Sequence, residues 1–108
     1  MRKEDILEQA LADATDLPVK EFEYAGTKPE YIVYNDEARH GADHGDNTEL
    51  VETAWFQVHI FTSKAMNYRE RRETAKRALI NAGFLVTDVV TRYEAETRTI
   101  HIIIYCNM

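Results

Sequence analysis

Residues 53–63 read TAWFQVHIFTS, the longest clear strand pattern in the chain. Side chains that alternate at a period of two are typical of a β-strand, whose successive residues point to opposite faces. One face carries Phe56, Val58, Ile60 and Thr62. The other face carries Trp55, Gln57, His59 and Phe61. The first face is predicted to join the core, whereas the second mixes aromatic with polar side chains and fits neither a core nor a solvent surface.

A helix is predicted directly after this strand, from the turn at residues 63–67 to Gly83. Asn67 and Glu70 are spaced as a capping box, and Gly83 stands at the C-cap position. The predicted buried stripe consists of Ala75, Ala78, Leu79 and Ala82. The predicted exposed side carries Arg69, Arg71, Arg72, Lys76 and Arg77, interleaved with Glu70 and Glu73. This side is either a solvated face with i,i+4 ion pairs or, with Arg72 as a candidate contact, a surface for an acidic partner or nucleic acid.

The chain before the long strand is predicted to form one helix and two strands. Apolar residues recur at helical spacing at positions 6, 7, 10, 11 and 14, and Pro18 follows the predicted helix end. Residues 20–24 alternate charged and aromatic side chains, as in a half-buried edge strand, and residues 31–35 are apolar on both faces. We expect these two strands to pair as an antiparallel, hairpin-like unit.

Two further strands and a long loop complete the predicted fold. The polar segment 36–49 has no periodicity and is predicted to be a mobile loop. Residues 84–93 and 99–105 read as strands joined by a turn, and the second of them puts His101, Ile103 and Tyr105 on one face. The predicted order is α-β-β-β-α-β-β. It describes a single α+β domain over residues 1–108, with a largely antiparallel sheet and two helices packed on one face.

The composition indicates a folded protein that works in a reducing compartment. The net charge of −6 argues against sequence-independent nucleic-acid binding, which depends on Lys and Arg. The single cysteine, Cys106, excludes a disulfide framework, and its apolar neighbours indicate a small buried residue. The N-terminus lacks the apolar region of a signal peptide, and no apolar run reaches the length of a membrane span. We therefore expect assembly in the cytoplasm, without a membrane partner.

Two groups of residues are candidates for chemistry. The loop carries His40, Asp43, His44 and Asp46, which are metal-ligand types, although the glycines at 41 and 45 disfavour the helix that would align them. A small metal-binding module or enzyme that uses this loop is the alternative to a solvated loop. His59 and His101 lie on strands, and if those strands pair, the two imidazoles come close together. No catalytic motif is recognisable, and no cofactor is expected.

The mixed sheet face suggests a second buried surface. Trp55 and Phe61 share it with Ile103 and Tyr105 of the last strand. The cover is either a second layer within the monomer or a neighbouring subunit, because Trp and Tyr are enriched at interfaces. Since both helices are needed on the first face, the oligomer is the favoured interpretation. A generic α+β ligand-binding domain with a defined pocket is a further alternative.

Several stretches resemble the tail-completion, or tail-terminator, proteins of long-tailed bacteriophages and prophages. They are KPEYIVYN at residues 28–35, FQVHIFTS at 56–63, Ala82-Gly83-Phe84 and YEAET at 93–97. The resemblance covers nearly the whole chain in order and implies a structural, non-enzymatic virion protein. Such proteins form a ring, typically a hexamer, at the head-proximal end of the tail tube. Their partners are further copies of themselves, the tube protein and the head-completion or connector protein.

We add a hypothesis for the roles of the residues singled out above in such a ring. Trp55, His59 and Phe61 are expected to contact neighbouring subunits, together with His101, Tyr105 and Arg72. The acidic loop with Asp43 and Asp46 is expected to line the lumen of the ring or to meet the next ring, where negative charge would let DNA pass.

Overall fold

The computed structural model describes residues 1–37 and 53–108. Its elements in chain order are α1 (Lys3–Thr15), β1 (Val19–Glu21), β2 (Tyr31–Glu37), β3 (Trp55–Ser63), α2 (Tyr68–Asn81), β4 (Leu85–Glu94) and β5 (Thr99–Asn107). The strands form one sheet in the order β1-β2-β3-β5-β4. The predicted α-β-β-β-α-β-β order is confirmed. The predicted largely antiparallel sheet is confirmed as well, because β2–β3, β3–β5 and β5–β4 all pair antiparallel.

The core lies between the two helices and the sheet face that carries Phe56. Every second residue of β3 is buried, as the alternation predicts. The helices cover this face with Leu7 and Leu11 of α1 and with Ala75 and Leu79 of α2. Cys106 is also fully buried there, and burial raises the pKa of its thiol to about 12, so it is the small core residue that its sequence context indicates.

Helix α2 begins and ends as the sequence predicts. The Asn67 side chain accepts a hydrogen bond from the Glu70 N–H at 3.2 Å, which satisfies one donor of the first turn. Gly83 follows the helix with a φ of 105°, a left-handed conformation that glycine adopts without strain. The N–H of Phe84 donates to the Leu79 carbonyl at 2.9 Å, the bond of a Schellman motif. This cap fixes the direction in which β4 leaves the helix.

Strand β1 pairs with β2 in parallel, so the predicted antiparallel unit is wrong. Glu21 lies opposite Tyr34, and the strand stops there instead of continuing to residue 24. The reason is a γ-turn centred on Phe22, whose φ is 69°; the N–H of Glu23 donates across it to the Glu21 carbonyl at 2.8 Å. The chain then returns along the sheet to the start of β2, which therefore runs in the same direction as β1.

The first two residues of the segment predicted as a loop form part of a strand instead. Asp36 and Glu37 belong to β2, where they pair with the first residues of β3. The candidate metal ligands and the predicted lumen residues, His40, Asp43, His44 and Asp46, lie outside the described residues. Among the residues that are described, no group of three or more His, Cys, Asp or Glu side chains could hold a metal ion. No helix within these residues is long and apolar enough to cross a membrane.

Arg71 was predicted to lie on the exposed side of α2, but it forms a partly buried ion pair with Glu30. The Glu30 residue is 8% exposed. Arg71 donates to its two carboxylate oxygens from Nη2 at 2.8 Å and from Nε at 3.1 Å. The Thr62 hydroxyl donates to the same carboxylate at 2.6 Å, and Nη1 of Arg71 donates to the Thr15 carbonyl at 3.2 Å. The cluster joins the end of α1, the segment before β2, the end of β3 and the start of α2.

Candidate interaction face

The sheet face opposite the core extends into β4 through Val90 and Arg92. Its central part, named the second face from here on, is built from alternate residues of β2, β3 and β5. They are Tyr31, Val33 and Asn35, then Trp55, Gln57, His59 and Phe61, and finally His101, Ile103 and Tyr105. Val33 and Ile103 are 9% and 5% exposed, whereas the others are half-buried. The mixed pattern read from the sequence therefore corresponds to a face of intermediate exposure.

Stacked rings cross the second face in a continuous row. The ring centroids of Tyr24 and Tyr31 are 4.6 Å apart, and those of Tyr31 and Phe61 are 4.9 Å apart. Phe61 then stacks on His101 at 4.4 Å. Because the rings stack on one another, the inner ones use their faces for mutual contact and are held in place by it. The row links the segment before β2 to β2, β3 and β5.

The row ends in a directly hydrogen-bonded histidine pair. The Nδ1 atom of His59 lies 2.8 Å from Nε2 of His101, which confirms that strand pairing brings the two imidazoles together. The Nε2 atom of His59 lies 3.1 Å from the amide oxygen of Gln57, whose amide nitrogen donates to Glu37 at 3.0 Å. Since the Gln57 oxygen only accepts, His59 carries its proton on Nε2, and its Nδ1 accepts from His101. The hydrogen bonds thus run in one direction, from His101 to Glu37.

The surroundings of both histidines lower their pKa values and so favour the neutral rings. Burial lowers the pKa of His59, and the neighbouring His101 lowers it further. Burial also lowers the pKa of His101, an effect that Glu94 opposes and Arg92 reinforces. Protonation of both rings would put hydrogen on both nitrogens of the 2.8 Å contact and would break that bond. The paired geometry therefore excludes the state in which both rings are protonated.

The wild type is expected to lose stability on mild acidification, and the double variant His59→Phe/His101→Phe is expected to lack this loss. In the wild type, the unfolded state binds more protons between its ordinary histidine pKa of 6.5 and the lowered folded values. The free energy of unfolding therefore falls as the pH drops through that window. Urea unfolding of both proteins at pH 5, 6, 7 and 8 measures the difference. His40 and His44 are present in both proteins, so their contribution is common to both. If the free energy of unfolding changed equally with pH in the two proteins, the His59–His101 pair would not be the source of the pH dependence.

The remaining predicted contact residues lie apart from the row. Trp55 starts β3 opposite Asn107, and Tyr105 lies opposite Gln57, so both are on the second face at the end of β3 away from Phe61. Arg72 is on the helix side of the sheet, where its Nη1 donates to the Thr91 hydroxyl at 2.9 Å. The second face therefore unites His59, Phe61 and His101 but does not include Arg72.

Sequence reasoning missed the contribution of the segment that follows β1. Its Tyr24 begins the stacked row, and Phe22, Tyr24 and Tyr31 line an open groove of about 460 Å³ that extends to His59, Phe61 and His101. Phe22 is 66% exposed. The available signal was the alternation of aromatic with charged residues at 20–24, which indicated an edge strand rather than a segment that folds back onto the sheet.

No protein-family model and no curated protein sequence matches this chain. Among solved structures, the fold is similar to that of a chain in the virion of a native gene transfer agent (GTA) particle. The similarity has a TM-score of 0.62 and spans 94% of this chain and 88% of the other, at 16% sequence identity. At that identity the likeness establishes a shared fold over essentially the whole domain.

Proposed function

We propose that this chain is a structural protein of a phage or prophage virion, namely a tail-terminator or tail-completion subunit. The observation that carries the proposal is the fold shared, over nearly the full length of both chains, with a chain of a GTA virion. Fold alone does not assign a role. The sequence motifs at residues 28–35, 56–63 and 93–97 add support, because they resemble the tail-terminator family in particular.

The second face supports a role in assembly rather than in catalysis. Both helices pack on the core face, and Tyr24, from the segment between β1 and β2, packs on the second face. The half-buried side chains there combine aromatic rings with hydrogen-bonded polar groups, the composition of a protein–protein interface. Its histidines are bonded to each other and to Gln57, so the row is already rigid before a partner arrives. A rigid, partly apolar face lowers the entropic cost of association.

In the proposed arrangement, several copies form a ring at the head-proximal end of the tail tube. A hexamer is the ring size that the family resemblance implies. The second face, with Trp55, His59 and Phe61, contacts neighbouring subunits. The ring then ends tube growth and presents a surface to the head-completion or connector protein. The function is mechanical, and it needs neither a cofactor nor a catalytic residue.

Light scattering coupled to size-exclusion chromatography over a concentration series, with and without zinc, tests this proposal. We expect a discrete assembly of several subunits whose fraction rises with protein concentration and does not depend on zinc. A monomer that changes its state only when zinc is added would contradict the proposal and favour the metal-loop alternative. A discrete oligomer should also appear by electron microscopy as closed rings rather than as open filaments.

A further inference from the structure

Two titratable rings lie in the middle of the second face. His59 and His101 are half-buried and share a hydrogen bond, with Nδ1 of the first 2.8 Å from Nε2 of the second. Histidine is the side chain whose ordinary pKa lies closest to neutral pH. The two rings belong to the surface that is proposed above to contact neighbouring subunits. A change in their protonation therefore alters the contact surface itself.

The hydrogen bond between the two rings tolerates one added proton but not two. In the neutral pair, Nε2 of His101 donates to Nδ1 of His59, because the Nε2 proton of His59 is directed at the Gln57 oxygen. A first added proton can bind Nδ1 of His101, which leaves this bond intact. A second one must bind Nδ1 of His59, so that hydrogens occupy both nitrogens of the 2.8 Å contact and two positive rings face each other. The pair titrates as a unit, and the second proton binds at a lower pH than the first.

The strands on either side of His59 surround it mainly with uncharged groups. Val33 of β2 and Ile103 of β5 lie directly opposite His59, and both are buried apolar residues. Besides His101, the same side of these two strands carries the titratable side chains Tyr31, Glu37 and Tyr105. The Glu37 carboxylate accepts from the Gln57 amide, so Gln57 lies between this charge and the ring. Burial is accordingly the main cause that lowers the pKa of His59.

Charges of both signs surround His101. On β4, the same side of the sheet carries three charged groups, which are Asp88, Arg92 and Glu94. Arg92 lies directly opposite His101 and disfavours its protonation, whereas Glu94 favours it. The groove beside the pair adds Glu23 and Tyr24 from the segment after β1. With all of these groups in place, burial still lowers the pKa of His101 below its ordinary value.

We propose that the His59–His101 pair makes assembly through the second face dependent on pH, so that mild acid releases the subunits. A neighbouring subunit that covers the second face takes the remaining water from both rings and disfavours their charged forms further. At mildly acidic pH, free subunits therefore bind more protons than assembled ones, and association releases the difference. Acid thus opposes assembly. The inference rests on the proposed function and adds its regulation.

The chain contains four histidines, so two double variants separate the pair from the others. His40→Gln/His44→Gln leaves the pair as the remaining histidines, and His59→Gln/His101→Gln replaces it with side chains that stay neutral. Light scattering coupled to size-exclusion chromatography, over a concentration series at pH 7.0, 6.5, 6.0 and 5.5, gives the apparent dissociation constant of each protein. Circular dichroism checks that every sample is folded, and a return to pH 7.0 checks that the change is reversible.

We expect the wild type and His40→Gln/His44→Gln to assemble more weakly as the pH falls. The expected loss approaches roughly tenfold in affinity per pH unit for each proton that association releases. The variant His59→Gln/His101→Gln should keep a constant affinity over the same range. Even if that variant assembled poorly at pH 7.0, the comparison of the wild type with His40→Gln/His44→Gln would still test the proposal, because both retain the pair.

Three results would overturn the switch while the proposed ring stands. They are a wild-type affinity that is constant over the pH series, a pH dependence that disappears in His40→Gln/His44→Gln, and one that persists unchanged in His59→Gln/His101→Gln. A wild type that is monomeric at every pH and concentration would overturn both the switch and the ring. The failure of the regulation and the failure of the proposed function are therefore distinguishable in one experiment.

Discussion

Replacing Arg71 with methionine is expected to lower the free energy of unfolding by about 3 kcal/mol, or roughly 10–15 °C in Tm for a domain of this size. After the substitution, the Glu30 carboxylate keeps the hydrogen bond from the Thr62 hydroxyl but loses both bonds from Arg71. Removing one partner of a buried ion pair is costly because the other charge stays out of water uncompensated. The expected cost lies at the low end of the range for broken buried ion pairs, since the Arg71 side chain is 33% exposed.

The cost of Arg71→Met should also depend on pH. The hydrogen bond from Arg71 is the main reason why the pKa of Glu30 lies below its ordinary value of 4.5. A carboxyl group with a lowered folded pKa stabilises the protein above its unfolded pKa, and this contribution is lost as the pH falls through the folded pKa. The free energies of unfolding of wild type and variant, measured by chemical unfolding, should therefore differ by the full amount at neutral pH. The difference should become progressively smaller below pH 4.5.

The matched control is Arg72→Met, the same change one residue later. Arg72 also donates to a threonine hydroxyl, but that bond is exposed and carries no buried carboxylate. Its loss should cost less than about 1 kcal/mol and should not vary with pH below neutrality. Equal costs for the two variants would mean that the Glu30 cluster does not hold the helices to the sheet.

The alternating pattern of residues 53–63 was sufficient to predict the centre of the fold. One apolar face of β3 requires a layer above it, and the two amphipathic helices are the elements in the sequence that can supply it. The capping residues Asn67 and Gly83 act within one turn of helix, so their roles can be read locally. From the sequence, the pairing of β3 with β5 was only a condition; the structure shows it, and it brings His59 and His101 together.

The features that the sequence did not predict depend on contacts between distant residues. Glu30 and Arg71 are 41 positions apart, and a charged residue on a helix reads as exposed until its partner is known. The parallel pairing of β1 depends on the γ-turn at Phe22, a position where no glycine signals a positive φ. For the same reason the approach of Tyr24 to Tyr31 was not foreseen. Local propensity cannot specify a turn that tertiary contacts stabilise.

Trp55 and Phe56 are neighbours on β3, and their side chains point to opposite faces of the strand. Truncating each of them should therefore have a different effect. Phe56 is 1% exposed and packs edge-on against Tyr34 and Phe84, at centroid distances of 6.5 and 6.0 Å. Phe56→Ala should therefore cost about 3–5 kcal/mol, a large part of the stability of a small domain. Thermal or urea unfolding measures the loss, and self-association should fall only to the extent that the fold does.

Trp55→Ala is expected to have the opposite effect: the protein should stay folded but remain a monomer that no longer assembles. Trp55 lies on the half-buried second face, and truncating a Trp that is a hot spot of an interface costs about 2 kcal/mol or more of binding, about thirtyfold in affinity. The measurement pairs light scattering with unfolding on the same samples. A Trp55→Ala protein that loses as much stability as Phe56→Ala would place Trp55 in the monomer core, so the second face would then be an internal layer. A stable variant that still forms the wild-type assembly would show that Trp55 is not needed for the contact between subunits.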